Sequence, residues 1–158
     1  MSARSTLIFA LALGTPVQLA LADAGHPHGA KAAFGSPGQE SEITRTIEVE
    51  ASDNMRFKPA RIEIRMGETV KFMVRNNGKL KHEFSVGDRA AQRAHALMMK
   101  KMPNMRHDDD PATIVIEPEQ AKTLIWKFDK KPAGPIEVAC HEPGHYEAGM
   151  KLDVVWAK

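Results

Sequence analysis

Short segments in which apolar and polar residues alternate make up most of the chain. In one of them, Val70, Phe72 and Val74 alternate with Lys71 and Met73. Successive side chains of a strand point to opposite faces, so this pattern predicts strands with one buried face. Eight segments fit: 44–50, 61–66, 70–75, 80–86, 113–117, 122–128, 136–140 and 150–156. Seven or eight short strands separated by turn residues indicate an all-β, antiparallel-rich sandwich or barrel.

The segment 88–102 breaks this alternation. Asp88 has the side chain of a helix N-cap, the residues after it are good helix formers, and Pro103 ends the run. The sequence therefore predicts one helix inserted between two strands.

The first 22 residues predict a signal peptide. Arg4 supplies a positive charge, residues 7–13 form a short apolar run, and small residues permit cleavage near Ala22 or Ala24. The apolar run is too short for a membrane span. We therefore expect export to the periplasm and no membrane span after signal removal.

Residues 23–42 predict a flexible N-terminal arm, which leaves 43–158 as the folded domain. The arm is rich in Gly, Ala, Ser and Pro and has no sustained period. It carries His26 and His28, and imidazole suits Cu(II) and Zn(II). The two histidines are candidate ligands of a secondary copper ion, or they belong to a polar tail without a metal.

Composition restricts the functional classes further. A chain of 158 residues excludes a large multidomain enzyme, and a formal net charge of +2 gives no basis for a nucleic-acid partner. The single cysteine, Cys140, excludes an intramolecular disulfide and a CxxC pair. It is an inert buried thiol, a nucleophile or a metal thiolate.

The strand registers favour the metal thiolate. His82, Cys140 and Met150 each fall in the apolar register of a predicted strand. The loop after Cys140 adds His145, which gives C-x4-H-x4-M spacing. Two imidazoles, one thiolate and a weak thioether are the ligand set of type 1 copper sites. The expected ligands of one copper ion per chain are therefore His82, Cys140, His145 and Met150.

With these residues, the chain resembles the cupredoxin family, the relatives of plastocyanin and azurin, over roughly 43–158. The resemblance implies a Greek-key β-sandwich and a redox-active copper. The His-Pro-His-Gly arm and the methionine-rich insertion are also similar to those of exported bacterial copper-tolerance cupredoxins of the CopI type.

The inserted helix carries further soft or borderline ligands that favour secondary Cu(I) binding. They are His95, Met98, Met99 and Met102 at i, i+3, i+4 and i+7, followed by Met105 and His107. The alternative, which we prefer for most of the methionines, is an amphipathic helix that packs flexible side chains on the sandwich.

The role of His141 and three alternatives to a type 1 copper site also need to be weighed. We interpret His141 as an exposed loop histidine rather than as part of a surface electron route or a link to a second copper. A cysteine hydrolase lacks an orienting third residue, zinc rarely takes a thioether, and a copper oxidase or nitrite reductase needs a further histidine cluster. We therefore expect a copper-binding, electron-transfer protein rather than an enzyme.

Two functions remain open at this point. One is copper tolerance, with copper ions as the partner. The other is one-electron transfer between periplasmic respiratory or denitrification partners, which requires a redox partner protein.

Overall fold

The computed structural model describes residues 32–103 and 109–158, which form ten strands, one α-helix and one short 3-10 helix. The strands, in chain order, are β1 Ser36–Pro37, β2 Arg45–Ser52, β3 Arg56–Lys58, β4 Arg61–Ile64, β5 Glu68–Asn76, β6 His82–Asp88, β7 Thr113–Ile116, β8 Ala121–Phe128, β9 Ile136–Ala139 and β10 Lys151–Trp156. Helix α1 spans Arg89–Lys101 and the 3-10 helix spans Glu40–Glu42. The predicted signal peptide, 1–22, lies outside the described residues.

The strands form two five-stranded sheets packed face to face. The first has the order β1-β8-β5-β2-β3 and the second the order β4-β10-β9-β6-β7. The pairs β2–β5 and β4–β10 are parallel, and the other pairs are antiparallel. The predicted all-β sandwich with one inserted helix is confirmed.

Aromatic rings fill the space between the sheets. Phe72 of β5 and Phe84 of β6 are fully buried, with ring centroids 5.2 Å apart. Phe57 and Phe128 meet these rings edge-on, with centroids at 5.6 and 6.4 Å. The inward apolar side chains of β5 alternate with more exposed polar or long side chains, as predicted, whereas β6 is buried in both registers over residues 82–87.

All eight predicted strands are present within two residues of their expected ends, but the predicted total of seven or eight is too low. The two additional strands are β1 and β3, which have two and three residues. Such short segments cannot display an alternating pattern, so their pairing depends on neighbouring strands. In β3, a single buried ring, Phe57, anchors the segment to the core.

The prediction of a flexible arm over 23–42 is wrong for its last eleven residues, 32–42. Phe34 is buried, and its ring stacks on Trp126 with a centroid distance of 5.3 Å. The indole N–H of Trp126 donates to the Phe34 carbonyl at 3.3 Å, and β1 pairs with β8. The stacking and pairing hold these residues on the edge of the first sheet. Residues 23–31, with His26 and His28, lie outside the described residues.

We expect Phe34→Ala to destabilise the protein by about 3 kcal/mol, because it empties a buried site beside Trp126. Urea unfolding of the mature chain measures the effect. Truncation of the exposed Met73 to alanine is the control and is expected to stay within about 0.5 kcal/mol of the parent. Equal stability of Phe34→Ala and the parent would show that the segment does not hold the sheet.

Helix α1 is confirmed with the expected N-cap. The Asp88 side chain accepts the N–H of Ala91 at 2.9 Å, and the helix ends two residues before Pro103. Its buried residues Gln92, His95 and Met99 pack against β6 and β9. Among the described residues, no helix has the length and apolar character needed to cross a membrane.

Candidate metal centre

The start of β6 is fixed by the loop that precedes it. Asn76 is fully buried, and its side-chain amide donates to the carbonyls of Leu80 at 2.7 Å and Ile116 at 3.0 Å. Its side-chain oxygen accepts the N–H of Gly78 at 2.9 Å. These three bonds close the turn and place His82 at the buried end of its strand.

The His82 ring is oriented by a carboxylate. Its Nε2 lies 3.3 Å from Asp53 Oδ1, in the turn between β2 and β3. Asp53 also accepts the backbone N–H groups of Lys79 at 2.7 Å and Leu80 at 3.2 Å, which hold its pKa below the usual range. Because a carboxylate only accepts, the proton of a neutral His82 ring lies on Nε2, and Nδ1 presents its lone pair to the site.

Burial lowers the pKa of His82, and the nearby His145 lowers it further. The Asp53 contact acts in the opposite direction but is weaker than burial. His82 is therefore held neutral, which is the form of imidazole that binds a metal.

Cys140 follows directly after β9 and is fully buried. Its Sγ accepts the backbone N–H of Glu83 at 3.3 Å, and its own N–H donates to the Met150 carbonyl at 3.1 Å. Burial raises the pKa of the thiol to about 12. A metal that binds this sulfur must therefore displace its proton.

The loop from Cys140 to Met150 turns back on itself. The N–H of His145 donates to the Glu142 carbonyl at 2.9 Å, and the N–H of Met150 donates to the His145 carbonyl at 3.0 Å. Gly149 has a φ of +100°, where L side chains are strained, and a Cβ there would lie 2.9 Å from the guanidinium of Arg56. The glycine therefore allows the close turn that returns the chain to β10.

These elements bring three donor atoms together. His82 Nδ1 lies 3.2 Å from His145 Nδ1, and Cys140 Sγ lies 3.3 Å from the same His145 atom. All three donors fall within 4.8 Å of one another. In 32–103 and 109–158, no other group of three His, Cys, Asp or Glu side chains meets this criterion.

The donor spacing fits a bound ion. Atoms placed about 2 Å from a metal in a trigonal plane lie ~3.5 Å apart, close to the observed separations. His145 is half-buried, whereas His82 and Cys140 are sealed from solvent. Met150 is also fully buried and is joined by backbone hydrogen bonds to both Cys140 and His145. The set suits copper better than zinc, which rarely takes a thioether.

The predicted secondary ligands of helix α1 differ in their burial. His95 and Met99 are buried against the sandwich, Met98 is half-buried, and Met102 is 49% exposed at the helix end. His95 Nε2 lies 3.3 Å from a Glu83 carboxylate oxygen. Met105 and His107 lie outside the described residues, as do His26 and His28. Secondary copper binding stays a prediction.

The interpretation of His141 as an exposed loop residue is wrong, since it is only 7% exposed. Its ring stacks on Tyr146 at 5.0 Å, and its Nε2 lies 2.8 Å from Gln92 Oε1 of helix α1. Burial, reinforced by neighbouring His95, lowers the pKa of His141 to about 4. The helix covers a face that the strand pattern alone assigned to solvent.

Sequence reasoning missed Asp53, Asn76 and Glu83. Asp53 and Asn76 have the residue types of ordinary turns, and Glu83 falls in the polar register of its strand. No local signal marks a turn residue whose partner is a histidine 29 positions further along the chain.

Two packed sheets with a His2Cys donor set between β6 and the loop after β9 define a small copper-binding β-sandwich protein. The family model described as "Cupredoxin-like domain" matches residues 28–123. The chain belongs to the cupredoxin family, and copper is the cofactor that this family and this donor set imply.

Among characterised proteins, the chain is 43% identical over 146 residues to the "Copper-resistant cuproprotein CopI" of Rubrivivax gelatinosus. That alignment covers 86% of this chain and 87% of the relative. A protein of the same description from Pseudomonas aeruginosa is 39% identical over 160 aligned positions, with 83% and 85% covered.

Among solved structures, auracyanin B superimposes with a TM-score of 0.62 at 19% identity. The match covers 78% of this chain and 96% of auracyanin B. At this identity, the comparison supports the fold alone.

Proposed function

We propose that this chain is a periplasmic type 1 copper protein that contributes to copper tolerance through a redox-active Cu(I)/Cu(II) site. His82, Cys140 and His145 would hold the ion, and Met150 would add a weak thioether donor. The observation that carries the proposal is the convergence of three donor atoms within 4.8 Å, from the start of β6 and from the loop between β9 and β10. The protein acts by binding copper and transferring electrons rather than as an enzyme.

The copper-tolerance role is supported by two relatives described as copper-resistant cuproproteins, which align with more than four fifths of this chain. Export is supported by the signal-peptide pattern of residues 1–22. A periplasmic protein meets copper ions before they reach the cytoplasm.

The bound copper supplies a one-electron couple between Cu(I) and Cu(II). The chain's part is to hold soft and borderline donors that suit both oxidation states. Asp53 fixes the His82 ring, the Glu83 N–H fixes the sulfur, and the loop turn fixes His145. Because these contacts come from the chain's own side chains and backbone, they would hold the donors in place, and little rearrangement would accompany electron transfer. Burial of Cys140 also protects the thiolate from oxidants in an oxidising compartment.

We expect Asp53→Ala to weaken copper binding by about 10- to 100-fold, because the partner that orients the His82 ring is lost. Competition titration with a Cu(I) chelator measures the affinity. Asp129→Ala, at a site outside the copper loops, is the control and should bind copper as the parent does. An unchanged affinity of Asp53→Ala would mean that the ring is held by its packing alone.

Gene deletion in the host tests the function itself. We expect the deleted strain to stop growing at copper concentrations that the parent tolerates. The wild-type gene should restore growth, whereas a Cys140→Ser gene should not. If growth in copper is unchanged and a respiratory or denitrifying activity is lost, the protein is an electron carrier between periplasmic partners and the tolerance proposal fails.

A further inference from the structure

A buried polar cluster lies behind the copper loop, on the outer face of β6. Glu83 is fully buried, although it falls in the polar register of its strand. His95 and Gln92 of helix α1 are buried beside it, together with His141. None of these four side chains is a proposed copper ligand, so metal binding does not explain why they are buried.

Glu83 contacts the copper loop in two ways. Its backbone N–H donates to Cys140 Sγ at 3.3 Å. Its carboxylate Oε2 accepts the backbone N–H of His141 at 3.1 Å. One residue therefore bonds both to the sulfur and to the peptide that follows it.

The carboxylate is held from the other side by the inserted helix. His95 Nε2 lies 3.3 Å from the same Oε2 atom. Gln92, one turn earlier, donates to the carbonyls of Ser85 at 2.8 Å and Glu137 at 3.0 Å. The helix is thus hydrogen-bonded to both β6 and β9 next to the Glu83 side chain.

We propose that the buried Glu83 carboxylate, held in place by His95 of helix α1, is a positioning residue that lowers the redox potential of the copper centre. The inference rests on the proposed ligand set. The carboxylate is one hydrogen bond from the peptide that follows Cys140, whereas His95 approaches from the helix. The carboxylate therefore joins helix α1 to the copper loop, and its negative charge lies beside the residue that follows Cys140.

The physical effect follows from Coulomb's law. A negative charge stabilises Cu(II) relative to Cu(I), because Cu(II) carries one more positive charge. Burial reduces screening by water and salt, so the interaction is stronger than at the surface. Hydrogen bonding around the cysteine sulfur and the polarity of its surroundings tune the potential of such sites.

The substitution Glu83→Gln in the copper-loaded protein tests the charge of the side chain while keeping its shape. Glutamine keeps a side-chain oxygen for the His141 N–H but removes the negative charge. We expect the equilibrium to shift at least about tenfold toward Cu(I), which is a rise of about 59 mV in midpoint potential for one electron. The thiolate-to-copper absorption band should keep its position, since the ligands are unchanged.

The matched control is Glu147→Gln, which removes an exposed carboxylate from the copper loop itself. We expect it to shift the Cu(I)/Cu(II) ratio by less than about twofold, because solvent screens its charge. A Glu83→Gln potential equal to that of this control would overturn the proposal. So would a shift accompanied by a displaced absorption band, because rearranged ligands would then account for it.

A second variant tests the same inference in case Glu83→Gln does not fold. Glu83→Met combined with His95→Leu replaces the whole pair by apolar side chains of similar size, a change that is often neutral or stabilising in buried ion pairs. This variant should also show a raised potential, and an unchanged potential would reject the inference. If neither variant nor the parent shows a thiolate-to-copper band, the ligand assignment fails rather than the role of Glu83.

Discussion

Replacing Cys140 by serine is expected to abolish the intense visible absorption of the copper-loaded protein. That band arises from charge transfer between a thiolate and Cu(II), and Cys140 is the only cysteine in the chain. The substitution also removes the strongest donor of the cluster around His145. Absorption and EPR spectra of the Cu(II)-loaded variant measure the change, and persistence of the band would show that the thiolate is not a ligand.

Two comparisons make this experiment specific. Serine is close to cysteine in size, so cooperative thermal unfolding of the metal-free variant should persist and show that the fold is intact. Met150→Leu keeps the apolar volume at a fully buried site and removes only the weak thioether. We expect this variant to retain the thiolate band, with a changed potential.

Phe84→Ala is expected to destabilise the protein by about 3–5 kcal/mol. The ring is fully buried in contact with Phe57 and Phe72, so its removal leaves a cavity in the core. Because Phe84 lies two residues after His82 on β6, we also expect weaker copper binding. Urea unfolding of the metal-free protein and copper titration measure the two effects.

Phe84→Leu serves as the graded control, since it keeps most of the apolar volume. We expect it to destabilise the protein by about 1–1.5 kcal/mol, well below the effect of alanine. If leucine and alanine are equally harmful, the contribution of Phe84 comes from the aromatic contacts rather than from filled volume.

Long strands of this protein can be predicted from their own sequence, whereas its shortest strands cannot. Strand β5 has nine residues with regular alternation, so its existence and its buried face follow from its own sequence. Strands β1 and β3 are too short to carry a pattern, and each forms because a longer neighbour offers a free edge. The ordering of residues 32–42 likewise depends on a distant side chain, Trp126, that the local composition does not reveal.

The burial of the polar residues around the copper ligands also depends on tertiary packing. Alternation places Glu83 opposite His82, and a charged residue at such a position is ordinarily exposed. Here helix α1 covers that face, so Glu83 and His141 are buried instead. A strand's own sequence cannot specify which element lies over its outer face.

By itself, the sequence determined the β-sandwich class, the inserted helix and the candidate ligands His82, Cys140, His145 and Met150. Strand periodicity, helix capping and ligand spacing are local properties that can be read along the chain. Only the tertiary structure decided that three of the donor atoms converge within 4.8 Å, that Asp53 orients His82 and that Glu83 lies between helix and copper loop. Those relations join residues that are distant in sequence, and they form only when the two sheets and the helix pack together.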